Sequence, residues 1–296
     1  MFQYLVFRFF QTLIQIMPFG CMYVFSDFNA FILRHIIRYR RKVVINNLHK
    51  AFPEKDEKTL RRYERSFYSY FTDMLLEAGK GYRMTRKKLD KRYRFQNPEL
   101  LDNYYNEGKS VILLMAHINN WEWITGTMGE RFNQKMFAIY KPLTNKRVDA
   151  FIRKSREHRN FQVVPLKSTG LMFRNMNSGP CAFVMAADQS PIALDKAHWV
   201  TFLHQTTGFL HGPETYAKKF GTSLVFMKVI MRKRGYYDIV FQTICDDPKT
   251  SPEGHITARY AQLLEELIKE QPTRWLWSHK RWKRNKPEDK KLINLN

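Results

Sequence analysis

The sequence predicts an α/β protein: a mixed, mostly parallel sheet flanked by helices, preceded by a hydrophobic N-terminal anchor and a helical segment. Three observations predict it. From about residue 95 onward, short apolar runs alternate with amphipathic stretches, as expected of buried strands and the helices that cover them. Before that point, apolar side chains recur at three- and four-residue steps, the period of helices with one buried face. The stretch from Phe9 to Phe25 is largely apolar throughout. The chain therefore divides into a hydrophobic membrane-anchoring segment over 1–27, a basic helical region over 28–94, and an α/β domain over 95–296.

Each element has its own signal. The apolar stretch is broken by Gln11, Gln15, Pro18 and Gly20, so it falls short of the ~20 apolar residues of a clean spanning helix, and no small-residue cleavage site follows it. Arg34, Arg38, Arg40, Arg41 and Lys42 form a basic cluster just beyond, which by the positive-inside rule puts the bulk of the chain on the cytoplasmic side of a membrane. Residues 28–50 read as one basic helix, broken by Ala51-Phe-Pro-Glu-Lys-Asp56. A second helix carries the stripe Leu60, Tyr63, Phe67, Tyr70, Phe71, Met74 and Leu75 and ends at Gly79 or Gly81. Strands are expected at 110–115, 135–140, 161–165, 181–186, 222–231 and 236–244. Helices are expected at 98–107, 120–131, 145–159, 168–178 and 213–220, the last opened by Gly212-Pro213, where Pro suits the first turn. A final helix buries Ile256, Tyr260, Leu263, Leu264 and Leu267 and runs to Pro272.

Composition narrows the class of protein. With 296 residues, 44% of them hydrophobic and 15% aromatic, the chain supports a large packed core and is not disordered. A formal net charge of +23 calls for an acidic partner: nucleic acid, an anionic membrane surface, a phosphorylated substrate or an acidic protein. Cys21, Cys181 and Cys245 are odd in number, far apart and without a C-x-x-C pair, which argues against a disulfide framework or zinc cluster and fits a reducing compartment. There is no H-E-x-x-H, and His204 and His211 read as surface or lining residues.

The chemistry-bearing motif is His117-Ile-Asn-Asn-Trp-Glu122, placed just after the apolar run Ser110-Val-Ile-Leu-Leu-Met-Ala116. A hydroxyl is a poor nucleophile at neutral pH, and a neutral imidazole in hydrogen-bond reach can take its proton as the oxygen attacks an acyl carbon. A carboxylate behind the ring, here Glu122, would fix its tautomer and stabilise the imidazolium that forms. Residues five apart on one helix sit about 140° around its axis and do not meet, so His117 must lie outside the helix. The sequence allows it, with Asn119 or Asn120 as the cap and Glu122 near the positive N-terminal end.

Further segments accompany the motif. Tyr140-Lys-Pro-Leu-Thr-Asn145 leads into a helix bearing Arg147, Arg153, Lys154, Arg156 and Arg159; Ala187-Asp-Gln189 follows the run Ala182-Phe-Val-Met-Ala186; Trp275-Leu-Trp-Ser-His-Lys-Arg-Trp-Lys283 closes the chain's folded part. Together with Asn47-Leu-His-Lys-Ala-Phe-Pro-Glu54, these make the sequence resemble the late acyltransferases of lipid A biosynthesis, the lauroyl and myristoyl transferases of the lysophospholipid acyltransferase superfamily. The resemblance spans nearly the whole chain and implies an acyltransferase-like fold. It implies transfer of a fatty acyl chain from a thioester, acyl carrier protein or coenzyme A being a co-substrate rather than a bound cofactor, to a hydroxyl of a lipid A precursor. By the same resemblance His117 and Glu122 match the catalytic His-x4-acid pair, Arg156 the basic residue after the Tyr-x-Pro segment, and Asp188 the acid of the Asp-Gln segment. Substrate-binding candidates are Arg156, Asp188, Gln189, Arg153, Asn120 and Tyr140, with no metal. A Glu in place of the Asp of the glycerolipid branch favours the lipid A branch, while His204 in Phe202-Leu-His-Gln-Thr206 departs from the small residue common in relatives.

Partners follow: acyl carrier protein, a phosphorylated lipid acceptor and the anionic inner-membrane surface, with the catalytic domain on its cytoplasmic face and no nucleic acid. Arg153, Lys154 and Arg159 serve either substrate phosphates or mere solvation. Asp188 and Gln189 serve either the site or a structural turn, including an Arg156–Asp188 pair. The Trp-rich end, with Lys280, Arg281 and Lys283, serves either as a headgroup anchor or as core with a basic rim. A glycerolipid, aminolipid or glycolipid acceptor keeps the same chemistry, whereas a non-enzymatic basic nucleic-acid binder would leave the hydrophobic N-terminus without a purpose. No G-x-S-x-G is present, which favours direct transfer without an acyl-enzyme. The substitution His117→Ala is expected to lower turnover by ~10²–10⁴-fold with purified donor and acceptor, as for loss of a general base.

Overall fold

The computed structural model describes residues 1–174, 176 and 179–295. The chain opens with helices α1 (Phe2–Ile16) and α2 (Phe19–Phe31), a π-helical turn Ile32–Ile36, and helices α3 (Arg41–Ala51), α4 (Glu57–Gly81) and α5 (Arg86–Arg92). Then come β1 (Tyr93–Phe95), α6 (Glu99–Asn106), β2 (Val111–Met115), a 3₁₀ turn Glu122–Ile124, α7 (Thr125–Arg131), β3 (Lys135–Tyr140), α8 (Lys146–Arg156) and β4 (Phe161–Pro165). The remainder is α9 (Thr169–Arg174), β5 (Cys181–Ala186), β6 (His198–Phe202), β7 (Gln205–Phe209), α10 (Gly212–Phe220), β8 (Ser223–Lys233), β9 (Tyr236–Cys245), α11 (His255–Glu270) and β10 (Leu292–Ile293).

The main sheet has the order β1-β9-β8-β2-β5-β3-β4 and is parallel except for the β8–β9 hairpin. That is the mixed, mostly parallel sheet the alternating pattern predicts. The central strand β2 is buried along its whole length because both faces are covered. Its alternate side chains feed two cores. Ile112 and Leu114 join Phe183, Met185, Leu224 and Phe226 beneath α4 and α11, while Val111, Leu113 and Met115 join Val184, Val225 and Met227 on the other face. A smaller sheet, β10-β6-β7, stands apart. Its β6–β7 hairpin has no turn signal in sequence: Leu203 and His204 both adopt positive φ (49° and 63°), where Asn-Gly is usual, and the Leu203 amide is held by Glu265.

The expected helix over 28–50 is two helices with a reversal between them. Arg38 and Arg40 take left-handed conformations (φ 53° and 48°), and tertiary contacts hold the turn. Tyr39 stacks on Phe71, and its carbonyl accepts the Tyr68 hydroxyl at 2.7 Å. The buried Glu64 then clamps both sides of the reversal, binding Arg34 at 2.7 Å and Arg41 at 2.8 Å. The stripe of α4 is buried at Leu60, Phe67, Tyr70, Phe71 and Met74, while Leu75 stays exposed at its edge. The helix expected over 168–178 is seen as α9; residues 175, 177 and 178 lie outside the described residues.

Among the described residues no helix is long and apolar enough to cross a membrane, so the expected N-terminal anchor has no spanning segment behind it. The physical reason is the break at Met17-Pro18, which divides the apolar stretch into α1 and α2. Both pack on α4. Gln11 donates to the Gly79 carbonyl at 2.7 Å, and the Lys80 ammonium caps the end of α1 through the carbonyls of Ile14, Gln15 and Met17. Arg234, at the tip of the β8–β9 hairpin, ties Asp27 of α2 to Asp73 of α4. Their outer faces leave Phe2, Leu5, Phe9, Phe10, Ile16, Val24, Phe25, Phe28 and Phe31 exposed.

Removing Glu64 leaves Arg34, only 11% exposed, without its counter-charge. Glu64→Ala is expected to lose roughly 3 kcal/mol of stability, read as a lower midpoint in urea unfolding with an unchanged slope.

Candidate active site

The parallel sheet places the site. Strands β2 and β5 are neighbours with Met115 opposite Ala186, so His117 and Asp188, each two residues past its strand, emerge side by side at the same end. This is the carboxyl edge of the parallel strands, where α/β sheets bind ligands.

His117 is held by that proximity. Its Nδ1 lies 2.7 Å from Asp188 Oδ1, and its backbone N–H donates to Asp188 Oδ2 at 3.0 Å. The indole N–H of Trp275 also donates to Oδ2, at 2.8 Å. Asp188 is 2% exposed and His117 22%, so the pair is a buried carboxylate under a partly open ring. An ionised carboxylate only accepts, so Nδ1 carries the proton and Nε2 keeps its lone pair. The Gln189 amide stands 3.5 Å from each ring nitrogen, the outer limit of a hydrogen bond.

The orienting contact expected of Glu122 is thus made by Asp188. Glu122 opens the 3₁₀ turn and forms a fork with Arg156 of α8, Nη2–Oε1 2.6 Å and Nε–Oε2 3.1 Å. The reason is reach: two neighbouring strands aim Asp188 at the ring, whereas the intervening residues 118–121 turn Glu122 towards α8. The alternative Arg156–Asp188 pair is not formed. Glu122 still acts on His117 through space, since its charge favours the imidazolium.

The loop between His117 and Glu122 is built into the protein on all sides. Ile118 bridges Trp275, and the Asn119 amide N–H binds the Arg274 carbonyl. Asn119 takes a left-handed φ of 54° and is fully buried, its side-chain amide binding the Val229 carbonyl. Asn120, a candidate for substrate contact, is fully buried, with Oδ1 accepting from Trp123 N–H and Nδ2 donating to Glu77. It lies beneath the site rather than in it. Tyr140, at the end of β3, donates to Asp149 at 3.3 Å, and Arg153, Lys154 and Arg159 are exposed on and just beyond α8. Arg156 is the one basic residue of this group engaged at the site.

Sequence reasoning left Trp275 undecided between headgroup anchor and core, and did not single out His279. Trp275 and Trp277 are buried, and Trp275 is a ligand of Asp188. His279 Nε2 accepts the Ser190 N–H at 3.1 Å, pinning the turn after Asp188. Burial lowers its pKa to about 4, so it is neutral near pH 7 and suited to accept. The three Trp residues and the single His of Trp275–Trp282 were the available signal. Among the described residues no group of His, Cys, Asp or Glu could hold a metal ion, and the three cysteines are free.

Electrostatics agree with the geometry. Burial alone would raise Asp188, but the charge and hydrogen bonds of His117, with the indole of Trp275, hold it down at about 2. Burial alone would lower His117, but Asp188 and then Glu122 raise it above its ordinary 6.5. The stabilisation seen from Asp188 is present above its unfolded value of 3.8 and lost as pH falls through about 2. Seen from His117 it is present below 6.5 and lost as pH rises through the raised value.

A His–carboxylate pair with a free Nε2 at the carboxyl edge of an α/β sheet defines a protein equipped for general-base chemistry. Residues 2–284 match the model of the bacterial lipid A biosynthesis acyltransferase family, and the chain belongs to that family. No curated protein matches the chain. The family assignment makes it an acyltransferase.

The His117 imidazole is expected to titrate above 6.5 in the wild-type protein. In Asp188→Asn it is expected to titrate below 6.5, because burial, the largest influence on the ring, is then opposed only by the weaker charge of Glu122. Nitrogen-15 NMR of the ring reads both.

Proposed function

We propose that the protein transfers a fatty acyl chain from an acyl thioester, with acyl carrier protein as donor, to a hydroxyl of a phosphorylated lipid A precursor. The observation that carries this reading is the His117–Asp188 pair, in a chain of the lipid A acyltransferase family. His117 Nε2 takes the acceptor's proton as the hydroxyl oxygen attacks the thioester carbon. The tetrahedral intermediate then expels the thiolate, which recovers that proton from the imidazolium. Asp188 holds the ring and stabilises its cationic form, and Glu122, clamped by Arg156, adds a second negative charge at a distance. No covalent acyl-enzyme is needed.

The surface supports a lipid acceptor and a location on the cytoplasmic face of the inner membrane. Helices α1 and α2 turn a row of Phe, Leu, Ile and Val outward, with Arg38, Arg40 and Lys42 exposed close by. Such a face lies in an anionic interface without spanning it. Arg34 and Arg41 are spent on Glu64 and do not join this patch. The N-terminus of α1 reaches α8, where Asn145 contacts Gln3 and Phe151 packs on Phe7 and Arg8, so the lipid-facing helices adjoin the helix that carries Arg156. The net charge of +23 also suits an acidic carrier protein.

The test is transfer in vitro with purified protein, acyl carrier protein loaded with a fatty acid, and an under-acylated lipid A precursor, followed by mass spectrometry. The expected product is the precursor bearing one more acyl group, formed ~10²-fold or more slowly by Asp188→Asn. Transfer only to a glycerolipid, aminolipid or glycolipid offered in parallel would replace the acceptor, and wild-type rates in His117→Ala would remove the mechanism.

A further inference from the structure

Below the site lies a buried carboxylate that the chemistry above does not use. Glu77 of α4 is fully buried and accepts from Tyr23 of α2 at 2.8 Å, from Tyr237 of β9 at 2.7 Å and from Asn120 at 2.8 Å. Its backbone carbonyl accepts the indole N–H of Trp123 at 2.8 Å. One turn further along α4, Gly81 leaves room for that indole, since any Cβ there would strike it. A single stretch of α4 therefore grips residues 120 and 123 on either side of Glu122.

The grip connects three elements. Tyr23 belongs to α2, whose outer face carries the exposed Val24, Phe25 and Phe28. Gly235 at the β8–β9 turn (φ 73°) admits the Tyr23 hydroxyl, where a side chain would collide with it. Tyr237 packs edge-on against Trp123, with ring centroids 5.9 Å apart. The carboxylate thus joins the lipid-facing helix, the sheet and the His117–Glu122 loop through three short hydrogen bonds.

Such a group is costly to keep. Burial pushes its carboxyl up to about 7 despite the pull of Tyr237, Tyr23 and Asn120. The folded state then holds the proton more tightly than the unfolded one, so this residue's contribution to stability falls as pH rises from 4.5 to about 7. In some proteins such a buried ionisable group is kept because it specifies one arrangement of its neighbours.

We propose that Glu77 is a positioning residue for the acyl transfer: acting through Asn120 and Trp123 it sets the 120–123 segment, and with it Glu122, and it joins that segment to α2 through Tyr23. This rests on the reading of His117 and Glu122 given above. Glu77 does not touch substrate.

The test uses the full-length protein and Glu77→Gln, which keeps the shape and spoils the three-donor arrangement. Hydrogen exchange in peptides covering 117–124 is expected to speed up about tenfold while peptides from 181–186 keep their wild-type rate. In steady-state transfer, kcat is expected to fall about tenfold with both KM values within about twofold. Combining Glu77→Gln with Asn120→Ala should be no slower than the slower single variant, because the two act through one contact. Exchange that stays unchanged, or rises evenly along the chain, overturns the proposal, as do losses that multiply in the double variant. Where Glu77→Gln fails to fold, Tyr237→Phe removes one donor and leaves the ring, and is expected to loosen the same peptides by about threefold. The exchange measurement needs no activity, so an inactive wild-type protein would overturn the acyl-transfer reading and the catalytic part of this proposal, while the exchange rates would still decide separately whether Glu77 holds the 120–123 segment.

Discussion

The site depends on one constraint: β2 and β5 pair in parallel with Met115 opposite Ala186. Parallel register delivers two side chains far apart in sequence to the same edge, each two residues beyond its strand. Asp188 is then too deep to be solvated by water, and the ring and backbone of His117 and the indole of Trp275 replace that solvation. The charge His117 can carry, together with these three donors, keeps Asp188 ionised despite its burial, and an ionised carboxylate behind an imidazole leaves the outer nitrogen free to act. Loss of the register would separate the pair and strand a charge in the core.

The N-terminal helices are not an appendage to this arrangement. Helix α4 presents a stripe to the main core and uses its polar residues as clamps: Glu64 on the reversal before α3, Asp73 on Arg234, Glu77 beneath the loop and Lys80 on the end of α1. Each clamp fixes a different neighbour, so the apolar outer faces of α1 and α2 are held at a set place relative to the loop that carries His117 and Glu122. On the function proposed above, the face proposed to meet the lipid interface and the proposed general base share one support.

Much of the fold was legible because strand and helix periods are local. The strands at 135–140, 161–165 and 181–186 are found at the expected residues, and α10 begins at the Gly212-Pro213 step. The misses had non-local causes. The hairpin of β6 and β7 turns on Leu203-His204, whose positive φ values are held by the fold and not by residue type. The reversal at 37–40 is set by Tyr39 stacking on Phe71 and by Glu64, more than twenty residues away in each case. The break at Pro18 is visible in sequence, but its consequence, two helices lying on α4, comes from contacts such as Gln11 with Gly79.

The sequence by itself determined the α/β class, the family resemblance, and a set of candidate site residues, because motif order and apolar periodicity need no third dimension. The fold decided how those side chains pair. From spacing alone Glu122 was the natural partner for His117, five residues away; in three dimensions Asp188 takes that place and Glu122 turns to Arg156. The physical reason is that hydrogen bonds depend on direction and on distances near 3 Å, which sheet register sets and sequence separation does not. The same holds for Trp275 and Asn120: the sequence leaves the one between anchor and core and makes the other a candidate substrate contact, and packing shows them to be supports.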